Sequence, residues 1–116
     1  MEPHELEEVR GILTRTWGVR TTPSPPAAYD ELRDRLIARV AFMLRHDYER
    51  LLSLLYLLDV RERDLRATLE TSDEAAKAET LAQLILDRET EKVESRKKYL
   101  RERSIDASFE VENDST

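Results

Sequence analysis

The most apolar segment of the chain, residues 51–58, lies in a sequence in which 38% of the residues are charged. Seven of its eight residues are apolar, and Ser53 is the exception. Because successive residues of a helix are rotated by about 100°, these side chains cover most of its circumference and leave no face that favours water. We therefore expect the segment to be covered on several sides, either by the rest of the chain or by a second copy of it.

The composition indicates an all-α fold. Leu occurs 17 times, against six Val and four Ile, and the chain has two Gly. Leu, Ala, Glu and Arg favour helix, whereas the β-branched and aromatic residues that favour strands are scarce. A length of 116 residues suits one domain with a single modest core. We predict a bundle of four to five helices over residues 1–103, followed by a disordered acidic C-terminal tail.

The N-terminal segment, residues 1–18, has the pattern of an amphipathic helix near residues 3–17. Its apolar side chains recur at spacings of three, four and four, at Leu6, Val9, Leu13 and Trp17. Gly18 suits the position just after the end of a helix. Residues 19–26 then read as a stiff extended linker, because three prolines within four positions fix the backbone and remove donors.

A second helix begins near Pro26 or Ala27. Its apolar positions follow the spacing of one helical face: Ala28, Leu32, Leu36, Ile37, Val40, Met43 and Leu44. Asp47 interrupts this pattern before the leucine-rich segment. It either caps a new helix, or the first helix bends there and continues. The sequence leaves both alternatives open for residues 27–58.

Two further helices follow from capping signals. Asp59 and Glu62 have the spacing of a capping box, with Asp59 at the N-cap of a short helix. Residues 71–74 repeat the signal before a last helix, which is apolar at first and charged almost all round from residue 88 to 103. The tail, residues 104–116, carries four acids and no positive charge, and its lack of periodicity predicts disorder.

No motif predicts catalytic, cofactor-binding or metal-binding residues. The chain has no Cys, and His4 and His46 share no metal-ligand spacing. His46 and Asp47 are adjacent and could form an acid–base pair, but neighbouring residues of a helix point in different directions. With two glycines in all, a phosphate-binding loop is not expected. We therefore expect a protein that is not an enzyme and uses no cofactor.

The N-terminal sequence does not resemble a signal peptide, because it lacks a basic region followed by an apolar one. The longest apolar run falls far short of the roughly 18–20 residues needed to span a bilayer. We therefore expect a cytoplasmic protein.

The surplus of leucine in residues 51–58 predicts an interaction surface. Either this segment is the central helix of a monomeric bundle, or it is shared between the monomer and the seam of a homodimer. The second alternative is favoured, because the other helices have narrow apolar stripes. The candidate contact residues are Leu54, Leu57 and Leu58. The leading functional hypothesis is protein–protein interaction, and in particular self-association.

A basic cluster near the end of the last helix gives an alternative function, nucleic-acid binding. Its residues are Arg96, Lys97, Lys98, Arg101 and Arg103, with Tyr99 among them. Clustered cations neutralise phosphates, and an aromatic side chain can stack on a base. Basic residues are also favoured by the dipole at the end of a helix, so a solvated helix end explains the same pattern.

Three side chains are expected in the core. Trp17 and Tyr56 should lie there at least in part. Leu55 shares a stripe with Val40, Leu44 and Tyr48, so it should face the main core in any oligomeric state.

Two stretches of the chain resemble known segments. Residues 47–69 contain an L-L-Y-x-x-D-V pattern, at Leu54, Leu55, Tyr56, Asp59 and Val60. Residues 84–99 fit the pattern I-x-x-R-x-x-x-K-x-x-x-R-x-x-Y, at Ile85, Arg88, Lys92, Arg96 and Tyr99. Together they resemble a group of short uncharacterised bacterial proteins. The resemblance implies a small helical fold and a bacterial origin, and it implies no activity or ligand residues.

Overall fold

The computed structural model describes the backbone of residues 3–20 and 29–114 and the side chains of residues 4–20 and 29–103. Within these ranges the chain forms five helices and no strand, which confirms the predicted all-α fold. The helices are α1 (Pro3–Trp17), α2 (Tyr29–His46), α3 (Tyr48–Leu58), α4 (Glu62–Leu69) and α5 (Glu74–Asp114). Most of the predicted linker and the predicted start of the second helix fall in residues 21–28, outside the described residues.

The long helix α5 is the element on which the other helices pack. The Trp17 indole reaches Glu89, and Lys97 lies beside Glu5, so α1 runs antiparallel to α5. Tyr29 lies beside Gln83 and Arg45 beside Glu74, so α2 is also antiparallel to it. Helix α2 therefore covers the first part of α5, and α1 covers the part that follows.

One hydrophobic core joins these helices. Its largest fully buried side chains are Trp17, Leu13, Leu32, Leu36, Met43, Leu51, Leu55, Leu81, Ile85, Leu86, Val9 and Val19. Trp17 and Leu55 were predicted in it, and both predictions are confirmed. Val19, predicted in the linker, instead belongs to the core. Gly18 explains this, because its φ of 72° ends α1 and lets the Val19 N–H donate to the Leu13 carbonyl at 3.1 Å.

Helices α2 and α3 are separate elements with a single residue, Asp47, between them. Asp47 occupies the N-cap position of α3, with φ −149° and ψ 52°, but its side chain makes no capping hydrogen bond. Its N–H donates to the Met43 carbonyl, and its carbonyl accepts the Leu51 N–H. The backbone hydrogen bonding thus continues through the break, which makes the turn between the two helices very short.

The predicted capping box at Asp59 is wrong. Asp59 ends α3 in the left-handed conformation (φ 62°, ψ 46°), and α4 begins three residues later, at Glu62. This residue ends the helical path of α3, and Asp is one of the few side chains that tolerate this backbone conformation. Arg88 supports the corner, since its Nε donates to the Leu58 carbonyl at 3.2 Å.

The capping signal in residues 71–74 does precede the last helix. The capping residue is Asp73, whose Oδ1 accepts the N–H groups of Ala75 at 3.0 Å and Ala76 at 3.5 Å. The backbone of α5 is helical as far as Asp114, and its side chains after residue 103 lie outside the described residues. The disorder predicted for residues 104–116 therefore stays a prediction. Of the helices within the described ranges, none has the length and apolar character that crossing a membrane requires.

Candidate protein-interaction surface

Helix α3 buries one side and exposes the other. Leu51, Leu55 and Leu58 point into the core, at spacings of four and three residues. On the opposite side Tyr56 is 70% exposed and Leu57 is 80% exposed. The neighbours of α3 therefore cover its inner face and leave the outer one free of cover within the described part of the chain.

Two aromatic predictions on this helix are corrected. Tyr56 was expected in the core but is exposed, because it follows Leu55 by about 100° of rotation and so points away from the core. Tyr48, expected on the same buried stripe as Leu55, is 44% exposed. It stands at the first position of α3, directly after the break at Asp47.

The three leucines predicted to form the surface are not equivalent. Leu57 is exposed, and Leu54 is half-buried against the edge of the core. Leu58 is 4% exposed and belongs to the core itself, so in this fold it offers no surface for contact. The candidate surface is therefore Leu57 with Tyr56 beside it and Leu54 at its margin.

A pocket of about 250 Å³ opens on the Leu57 side of α3. It lies among α1, α3 and α5, and its apolar lining includes Ile12 and Leu54. Lys92 and Arg96 of α5 supply positive charge along it. Arg50 precedes Leu57 by seven residues, two helical turns, and so lies on the same side of α3. We call Arg50, Lys92 and Arg96 the basic flank.

A cleft of about 650 Å³ opens on the other side of α3, next to Tyr56. It lies between the α3–α4 corner and α5, and its carboxylates outnumber its two arginines, Arg61 and Arg88. Glu49 precedes Tyr56 by seven residues and lies on this side of α3. We call the carboxylates on this side the acidic flank: Glu49, Asp59, Glu62, Asp64, Asp87 and Glu91.

A buried carboxylate lies at the base of the pocket on the Leu57 side. Glu89 is 3% exposed, and its Oε2 accepts a hydrogen bond of 2.9 Å from the Trp17 indole N–H. Its other oxygen lies 3.7 Å from the Lys92 ammonium. This arrangement ties α1 to α5 and satisfies the carboxylate without a ligand. The signal for it is visible in the sequence, because Glu89 lies midway between the buried Ile85 and Val93 on one apolar stripe.

The basic cluster predicted for nucleic acid is divided by the fold. Arg96, Lys98, Arg101 and Arg103 are exposed, and the Arg103 guanidinium donates to the Tyr99 hydroxyl at 3.1 Å. Lys97 is instead drawn against α1, with its Nζ 3.9 Å from carboxylate oxygens of Glu5 and Glu8. Lys97 therefore offers little charge to a phosphate, and nucleic-acid binding by this cluster stays a prediction.

His46, a candidate for an acid–base pair with Asp47, is exposed at the end of α2. Its ring centroid lies 4.7 Å from that of Phe42. Among the residues that the structure describes, no group of three or more His, Cys, Asp or Glu side chains could hold a metal ion.

Comparison of the chain with models of known protein families, with curated proteins and with solved structures finds no match.

Proposed function

We propose that this chain is a non-catalytic helical protein of the cytoplasm that acts by protein–protein association, with a second copy of itself as the partner. The proposal rests on one observation, the 80% exposure of Leu57 at the end of the most apolar segment of the sequence. Covering apolar surface is favourable by about 25 cal/mol for each Å² removed from water. Tyr56, with 70% of its surface exposed, enlarges the area that a partner would cover.

The choice of a second copy is supported by the charges on the two sides of α3. A homodimer with two-fold symmetry uses the same patch on both subunits, so that patch must complement itself. A patch with a basic flank on one side and an acidic flank on the other can do so. A patch with charges of a single sign would repel its own copy.

The experiment compares Leu57→Asp with the parent protein by light scattering over a range of concentrations. A carboxylate at the centre of an apolar contact would have to be desolvated without a partner, which opposes association. We expect the parent to be a dimer and the Leu57→Asp variant to be a folded monomer. Circular dichroism checks that both proteins keep the same helix content.

Phe42→Asp is the matched control, because Phe42 is also a large apolar side chain, 50% exposed, and lies on α2. We expect this variant to stay dimeric. A parent protein that is monomeric at every concentration would overturn the proposal. Equal loss of dimer in both variants would show that association depends on general surface hydrophobicity rather than on α3.

A further inference from the structure

Helix α3 separates two surfaces of opposite charge. Seen along the helix, Arg50 and Leu57 line up on one side, and Glu49 and Tyr56 line up on the other. The neighbouring helices extend this division. On the Leu57 side α5 contributes Lys92 and Arg96, and on the Tyr56 side the α3–α4 corner and α5 contribute carboxylates.

This division restricts how two copies can meet through α3. If the two-fold axis runs parallel to α3, the two helices pair in parallel. The Leu57 side of one copy then faces the Tyr56 side of the other. Each acidic flank then faces a basic flank, twice in the dimer. If the axis crosses α3 at a right angle, the helices pair antiparallel and like flanks face each other, which is unfavourable.

We propose that two copies pair through α3 in parallel, about a two-fold axis along the helix, so that the acidic flank of each copy faces the basic flank of the other. This inference rests on the proposed function, because it presumes that α3 is the dimer surface. Leu57 and Tyr56 supply the buried apolar area at the centre. Exposed ion pairs add little to affinity by themselves, so the role of the flanks is to select the orientation.

The test uses two variants with altered flanks. Glu49→Lys with Asp64→Lys leaves equal numbers of positive and negative side chains on the Tyr56 side, and Arg50→Glu with Arg96→Glu makes both flanks acidic. All four residues are exposed, so the changes leave the core intact. Lys92 is kept, because its ammonium lies 3.7 Å from the buried Glu89 carboxylate.

Each variant alone should form homodimers less well than the parent, because the first variant loses the attraction between its flanks and the second has two acidic flanks that repel each other. The loss should be about tenfold or more in the dissociation constant. Mixing the two variants should restore a dimer that contains one copy of each, since the basic flank of the first copy then faces the acidic flank of the second. Light scattering and native mass spectrometry measure both effects, and added salt should weaken both.

Asp30→Lys with Asp34→Lys is the matched control for the first variant, since it changes the net charge by the same amount as Glu49→Lys with Asp64→Lys, at exposed positions of α2. It should dimerise like the parent. The single substitutions Glu49→Lys and Arg50→Glu repeat the experiment within α3, in case a double variant fails to fold.

The outcomes separate this inference from the proposed function. A parent protein that is monomeric overturns both the proposed function and the parallel arrangement. If Leu57→Asp abolishes the dimer of the parent protein but the two flank variants do not associate on mixing, α3 remains the dimer surface. The parallel arrangement is then overturned. Flank variants that dimerise as well as the parent overturn it in the same way.

Discussion

Leu55 is the residue of α3 on which the stability of the fold should depend most clearly. It is fully buried between Leu51 and Leu58. Replacing it with Ala should lower the free energy of unfolding by about 2–5 kcal/mol, because the removed atoms leave a cavity. Ser53→Ala, on the exposed side of the same helix, should change it by less than about 0.5 kcal/mol. Urea denaturation measures both values, and an equal effect at the two positions would contradict the orientation of α3.

Single residues show what the sequence can and cannot predict at this scale. The buried face of α3 follows from helical spacing, so Leu55 could be placed in advance. Tyr56 could not, because spacing shows which residues share a face and does not show whether a neighbour covers that face. Its 70% exposure depends on where α1, α4 and α5 pack, which is a property of the whole fold.

At the scale of elements, helix identity was predictable and some helix ends were not. The composition and the apolar spacing predict α1 over residues 3–17, as the structure has it. The start of α4 was misplaced, because an Asp three residues before a Glu fits both a capping box and a left-handed turn followed by a helix. Which of them forms depends on the contact between this corner and Arg88, which is distant in the sequence.

The Asp59 corner can be tested with two small substitutions. At a φ of 62°, a residue other than Gly, Asn or Asp lowers the free energy of unfolding by roughly 1–2 kcal/mol. Asp59→Gly should therefore be more stable than Asp59→Ser by about 1 kcal/mol in urea denaturation. An N-cap position would give the opposite order or no difference, since Ser is a better N-cap residue than Gly. Both variants lose the 3.8 Å contact with Arg88, so that contact cancels in the comparison.

At the scale of the whole molecule, the pairing of distant segments was beyond the reach of local patterns. Trp17 and Glu89 are 72 residues apart, and their hydrogen bond fixes where α1 lies on α5. The amphipathic pattern of α1 shows that it needs a partner and does not say which one. The same limit applies to the interaction surface, where the leucine surplus was predictable and the charge division across α3 emerged only from the placement of α4 and α5.

The contacts of α5 suggest that the molecule opens in two steps. Beyond residue 88, α5 is tied to α1 by the Trp17–Glu89 hydrogen bond and by Lys97 against Glu5 and Glu8. We expect α1 and residues 89–103 to open together, at a lower free energy than α2, in native-state amide hydrogen exchange.

Two variants test this order of opening. Trp17→Ala should speed exchange throughout the chain, because the contacts it removes are broken in both the partial and the complete opening. Leu55→Ala should speed exchange in α2 and leave α1 unchanged, because Leu55 stays packed in the partly open state. If Leu55→Ala speeds exchange in α1 as much as in α2, then α1 opens only with the rest of the core and the molecule unfolds as a single unit.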